Sequence, residues 1–162
     1  MPDQPQFSIR QATSADAAGI LECLSSAFAA YRGRYTAAAY ADTVLGTETI
    51  RERMASMSLF VAGMPGGEIL GTIGCHVSSP GEGHLRGMAV LPSWQRHGIG
   101  AELLAVAEAE LRRQHCARVT LDTTEPLERA MRFYEKYGYR RSGKVMDFFG
   151  MPLYQYVKTI EP

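Results

Sequence analysis

Between Leu85 and Leu111 the chain passes from an apolar strand, through a short loop with two glycines, into an amphipathic helix. The string is Leu85-Arg-Gly-Met-Ala-Val90, then Leu-Pro-Ser-Trp, then Gln95-Arg-His-Gly98-Ile-Gly100-Ala101. Pro92 ends the strand, and Gly100, Leu103, Leu104, Ala107 and Leu111 share one helical face. The first turn of such a helix leaves N–H groups unpaired at the positive end of its dipole. Gly98 and Gly100 let a ligand approach that backbone with no Cβ in the way, and Arg96 adds a cation. The segment is therefore an anion cradle suited to a phosphate or pyrophosphate. It is not a dinucleotide fingerprint, because the third glycine of G-x-G-x-x-G is Leu103 here, and no G-x-x-x-x-G-K-[ST] string exists. The competing reading is a tight turn whose glycines only cap a helix.

The remaining pattern sets the frame around this segment. Phe7 to Ala12 reads as a first strand, and Thr13-Ser-Ala-Asp16 as a capping box. Ala17, Ile20, Leu21, Leu24 and Phe28 then fall at helical spacing, so a helix runs to about Ala30. Tyr31-Arg-Gly-Arg-Tyr35 reads as a loop, and Thr36 to Ser56 as one or two helices. Leu59 to Ala62, Ile69 to Val77 and His84 to Val90 read as three strands joined by short Pro/Gly turns, an antiparallel meander. Glu108 and Arg112 read as an exposed i,i+4 pair on the helix after the cradle. Val119 to Asp122 is a strand; Leu127, Ala130, Met131 and Tyr134 line a further helix, which Gly138 stops. Tyr139 to Val145 and Leu153 to Ile160 are the last strands, with a connection from about Lys144 to Leu153. The order gives an α/β chain: a mixed sheet with helices on its faces.

The 162 residues amount to one domain, 1–162, long enough to bury a core without a metal or disulfide. Lys plus Arg number 17 against 17 Asp plus Glu, so bulk attraction to nucleic acid or an acidic membrane is not expected and an anion site must be local. No apolar run is long enough to span a membrane, and Met1-Pro-Asp-Gln-Pro-Gln lacks the regions of a signal peptide. Cys23, Cys75 and Cys116 are odd in number and far apart, which argues against zinc or a disulfide framework and for a reducing compartment. His76, His97 and His115 have no metal-ligand partners at useful spacing, so no metal is expected.

Two segments together point to a family. Gln95-x-x-Gly98-x-Gly100-Ala101, after a strand ending Met88-Ala-Val90, strongly resembles the acyl-CoA signature Q/R-x-x-G-x-G/A of the GNAT N-acetyltransferase superfamily. About thirty residues on, Ala130-Met-Arg-Phe133-Tyr134-Glu-Lys136-Tyr-Gly138-Tyr139 resembles its A-x-x-F-Y-x-K-x-G-F/Y segment. The resemblance is strong from about residue 84 to 145 and before that rests on the order of elements.

The resemblance implies a central, mostly antiparallel mixed sheet of six to seven strands, helices on both faces, and a splayed strand pair that holds acyl-CoA. It implies that Met88, Ala89 and Val90 meet the pantetheine arm through backbone groups. Gln95, Arg96, His97, Gly98, Ile99, Gly100 and Ala101 would hold the pyrophosphate, His97 by its backbone. Tyr134 would be the general acid toward the sulfur, a role that suits a phenol, protonated at neutral pH until a thiolate needs the proton. Where many members carry a Glu near the start of the splayed strand this chain has His84, with Glu82 two residues earlier on the turn. His84 is the candidate base, against a half-exposed strand histidine. Where members often place an Asn against the pantetheine arm, Asp122-Thr-Thr-Glu-Pro126 stands; Thr124 offers a similar contact, or a helix N-cap. Arg129, Arg132 and Lys136 are candidates for a CoA phosphate or a solvated helix face.

No Ser-His-Asp or Cys-His arrangement is visible, so direct transfer in a ternary complex is expected rather than an acyl-enzyme. The implied function is transfer of an acetyl group from acetyl-CoA to a primary amine of a small molecule or peptide. The alternative is a non-catalytic acyl-CoA-binding sensor or assembly module. The arginines of Tyr31-Arg-Gly-Arg-Tyr35 suit an acceptor with a carboxylate or phosphate, and Asp147-Phe-Phe-Gly-Met151 suits a wall of the acceptor pocket, a dimer contact, or packing on its own core. The expected setting is cytoplasmic, with a homodimer possible.

Overall fold

The computed structural model describes residues 6–161; the N-terminal segment read for a signal falls largely outside them. The strands are β1 (Ser8–Gln11), β2 (Ser58–Gly63), β3 (Ile69–Ser79), β4 (Glu82–Val90), β5 (Arg118–Thr124), β6 (Arg140–Phe148) and β7 (Met151–Thr159). The helices are α1 (Ala17–Phe28), α2 (Ala37–Val44), α3 (Thr47–Ser56), α4 (Ile99–Arg113) and α5 (Glu128–Lys136). The strands form one seven-stranded sheet in the order β1-β2-β3-β4-β5-β7-β6. Every neighbouring pair is antiparallel except β4–β5, which is parallel.

Each face of the sheet is covered. On one, Ile20, Cys23 and Leu24 of α1 and Ile50 of α3 pack against Leu59, Val61 and Ala89. On the other, Leu103, Leu104, Ala107 and Leu111 of α4 pack against Leu70, Ile73, Leu85 and Val119. This burial of two helical stripes on opposite sides of β3 and β4 is what makes the centre of the sheet rigid. Asp16 anchors the start of α1: it accepts from the Thr13 N–H at 2.8 Å and is forked by Arg10 at 2.7 and 2.8 Å.

The structure resolves one open point of the sequence reading and departs from it at three others. Thr36 to Ser56 is two helices, because Leu45 takes a left-handed φ of 63° and Gly46 then caps α3. Tyr31–Tyr35 is not open loop but mostly 3-10 helix, Ala29–Arg34. The stretch from Lys144 to Leu153 is hairpin rather than loop: β6 and β7 pair up to Phe148↔Met151, leaving a two-residue turn of Phe149 and Gly150, both at positive φ. Glu108 and Arg112 are not an exposed pair. Glu108 is buried on the inward face of α4, where it accepts from Lys158 Nζ at 2.6 Å and the Tyr139 hydroxyl at 3.2 Å. Arg112 donates instead to the Glu161 carbonyl.

Candidate active site

β4 and β5 pair only from Glu82↔Arg118 to Leu85↔Leu121. Beyond Leu85 the two strands part, and β4 bulges: Thr72 faces Ala89 but Gly74 faces Arg86, so β4 carries one extra residue at Gly87–Met88. Gly87 sits at φ 68°, the left-handed conformation that favours glycine. The separation opens a cleft of about 760 Å³ between β4, the N-terminus of α4, β5 and α5.

One half of the cleft is the cradle. Gly98 caps α4 at φ 81°, and Arg96 before it is also left-handed at φ 69°. Gln95, Arg96, Gly98, Ile99, Gly100 and Ala101 all line the cleft. A Cβ on Gly100 would come within 3.1 Å of Met88 Cε and 3.3 Å of the Phe133 ring, so glycine here keeps the floor open. Gln95 Nε2 donates to the Val90 carbonyl at 3.4 Å, holding the loop against the end of β4. His97 does not line the cleft; its ring is exposed, tilts against Trp94 and places Nδ1 near the Trp94 and Gln95 carbonyls. Arg129 and Lys136 of α5 face the cleft, and Arg132 does not.

Tyr134 stands where cradle and β4 meet. Its hydroxyl points at Met88 Sδ, 3.4 Å away, and its ring is wedged against Phe133 and Tyr139. These apolar surroundings push the phenol above its ordinary pKa, so it is fully protonated at neutral pH. Met88, Ala89 and Val90 line the same wall, and Ala89 is itself buried. Thr124 also reaches the cleft, but its hydroxyl donates to the Pro152 carbonyl at 2.6 Å. It is no helix cap, since α5 starts at Glu128 with Leu127 before it.

The other half is built from side chains of distant elements. His84 Nδ1 lies 2.8 Å from Thr120 Oγ1, and Nε2 lies 3.5 Å from Asp122 Oδ2. Burial, with His76 and Arg86 adding to it, lowers His84 to about 4. Burial raises Asp122, against the pull of Lys144 and Arg86, and its Oδ1 is buried without a partner among the described residues. Tyr31, Tyr35, Asp42, Arg53 and Arg86 close this end, with Phe148 and Leu153 of the last hairpin. The hairpin tip is tied down by Thr36, whose hydroxyl donates to the Phe149 carbonyl at 2.9 Å. Glu82 is not in the cleft and pairs with Arg118. Sequence reasoning missed Asp122, Arg53 and Arg86 as site residues. A period of two along β4 puts Arg86 beside His84, but nothing in the sequence gives the parallel register that brings Asp122 to His84.

The match to known proteins follows the same lines. Residues 20–139 match the model of the acetyltransferase (GNAT) family, a span that holds both motif segments. The chain belongs to the GNAT family. It is thus an acetyltransferase that moves an acyl group from CoA to an acceptor, rather than the non-catalytic sensor weighed from sequence. Solved structures share the fold at low identity. A GNAT-family acetyltransferase from Staphylococcus aureus Mu50 superimposes with a TM-score of 0.75 at 18% identity, covering 96% of this chain and 100% of its own. The PaiA N-acetyltransferase of Thermoplasma acidophilum, solved with coenzyme A, gives 0.75 at 18%, covering 96% and 99%. The ribosomal-protein-S18-alanine N-acetyltransferase of Escherichia coli gives 0.77 at 17%, covering 97% and 96%. No curated protein matches the sequence. No cluster of metal-ligating residues occurs among the described residues, and no described helix is long and apolar enough to cross a membrane.

Proposed function

We propose that this GNAT chain, acting as one domain, transfers an acetyl group from acetyl-CoA directly to a primary amine, with Tyr134 as general acid. The observation that carries it is the Tyr134 hydroxyl, aimed at Met88 beside an open glycine cradle. The N–H groups of the first turn of α4, with Arg96, bind the pyrophosphate. Met88 to Val90 bind the pantetheine arm along the unpaired part of β4. The amine nitrogen attacks the thioester carbonyl carbon, and the C–S bond breaks as the C–N bond forms. Backbone N–H groups at the β4 bulge stabilise the oxyanion. Tyr134 gives its proton to the leaving sulfur and regains one from solvent.

The amine must lose a proton to become nucleophilic. His84 takes it. Burial keeps His84 neutral but makes it a weak base in the resting cleft, so the step depends on Asp122 at 3.5 Å offsetting the charge as the proton arrives. Tyr134→Phe tests the acid. We expect turnover, read as acetyl-CoA-dependent thiol release over a panel of amines, to fall about a hundredfold or more with little change in the KM for acetyl-CoA. Unchanged turnover and an unchanged pH profile would remove Tyr134 from the acid role.

A further inference from the structure

Arg53 is a cation in the acceptor half of the cleft that the transfer chemistry leaves without a task. It comes from α3, a helix with no other part in the site, and its guanidinium lies against the backbone of β4 at the bulge. A Cβ on Gly87 would stand 2.8 Å from Arg53 Nη1. That is one residue from Met88, the target of the Tyr134 hydroxyl. Arg53 is half-buried and lines the cleft, and its guanidinium has no hydrogen-bond or ion-pair partner among the described residues. The nearby carboxylate, Asp42, is already engaged by Arg86 at 3.1 Å.

A half-buried guanidinium with no protein partner is free to take a carboxylate, which would replace the water at its accessible nitrogens. Burial lowers Arg53 to about 10, with Arg86 adding to the fall and Asp42 opposing it; the group is still cationic at neutral pH. Across the same cleft the field has the opposite sign. Asp122 forms no ion pair with an arginine or lysine, although Lys144 and Arg86 pull on it, and it lies beside a neutral His84. Its unpartnered Oδ1 leaves its charge to act on the cleft's contents. One end therefore attracts an anion and the other an amine.

We infer that the acceptor is an aminocarboxylate, its carboxylate forked by Arg53 beside the β4 bulge and its amine directed toward His84 and Asp122. This rests on the amine-acetylating reading of the same cleft. Arg53 is a binding and specificity residue in this scheme, and the planar fork of a guanidinium matches a carboxylate in two parallel hydrogen bonds. The segment Tyr31–Tyr35 holds two other arginines, but neither Arg32 nor Arg34 lines the cleft.

The test uses matched acceptors that differ by one carboxylate: glycine against methylamine, phenylalanine against 2-phenylethylamine, and 4-aminobutanoate against propylamine. Thiol release is measured for the full chain, for Arg53→Gln and for Arg53→Lys. In parallel, the binding of each acceptor to the CoA-loaded protein is measured by calorimetry. A retained rise in Tm with acetyl-CoA shows that a variant is folded, and Arg53→Lys serves if Arg53→Gln is not. We expect at least one acid to be preferred over its amine by about thirtyfold in kcat/KM, carried by KM. Arg53→Gln reduces that ratio to about threefold or less, and Arg53→Lys gives a value between. Transfer without any preference for acids, a preference that survives in both variants, or a stronger preference for a phosphate-bearing amine such as O-phosphoethanolamine overturns the inference and leaves the transferase reading intact. Acids that bind through Arg53 without being acetylated, while plain amines are, overturn the inference and leave Arg53 a carboxylate-binding residue with no acceptor role. Neither binding nor transfer of any acid or any amine overturns both the inference and the amine-acetylating reading.

Discussion

The two halves of the cleft are made in different ways. The cradle half is continuous in sequence: Met88 to Ala101 supply its wall, its loop and its helix terminus, mostly through backbone. The acceptor half is assembled from α3, β4, β5 and the β6–β7 hairpin, and every group that matters is a side chain. A backbone site tolerates much change of side chain and demands glycine where the chain must be approached or turned. A side-chain site can be rebuilt one residue at a time without disturbing the fold. On the proposed reading, the cofactor and the acceptor are governed by separate sets of positions, which meet at Met88, Tyr134 and the bulge.

The sharpest way to break this separation is Gly100→Val. Its Cβ meets Met88 and Phe133 at once, so the added methyls fill the floor of the cradle. We expect acetyl-CoA affinity, by calorimetry, to fall about a hundredfold. The loss should be the same whatever the acceptor. A loss that depends on the acceptor would mean that the halves are not separate.

His84 gives the next effect, in the other half, and through stability. The unfolded chain protonates this histidine near 6.5, while the folded one resists until about 4. Acid therefore favours unfolding as pH falls through that window, by about 3 kcal/mol from His84 alone. Asp122 acts in the opposite sense, because its raised folded pKa makes the folded state take up a proton first. The net expectation is a loss smaller than that of His84 alone between pH 6.5 and 4, flattened in His84→Gln. Urea unfolding at three pH values measures it. The smallest effect is Gly98→Ala. No atom lies near the new Cβ, so the cost is the backbone conformation at φ 81°, about 1 kcal/mol and a Tm lower by about 3 °C. A thermal melt with and without acetyl-CoA separates that strain from any loss of binding.

The same contrast explains what could be read beforehand. The strand, glycines and helix of 85–111 signal their structure locally, and with Tyr134 at helical spacing from Leu127, Ala130 and Met131 they point to the cofactor half directly. The seven strands and five helices follow from periodicity, apart from the break at Leu45 and the hairpin that had looked like an apolar loop. The acceptor half depends on registers that no local pattern encodes. His84 meets Thr120 across a parallel pairing, and Arg53 reaches β4 because α3 folds back along the sheet. Glu108 was misread for the same reason: a charged residue on a helix looks solvated until Lys158, fifty positions away, is placed beside it.

The three cysteines, each buried, give the molecule a built-in clock. Burial pushes the thiols of Cys23 and Cys75 up to about 12, so a thiol reagent added to the folded protein counts released CoA against a quiet background. Cys23 is the most telling, because its Sγ contacts the Ala89 carbonyl from beneath β4. A reagent reaches it only when α1 lifts from the strand that forms the cleft wall. The rate at which Cys23 is modified is then a record of how often α1 parts from β4.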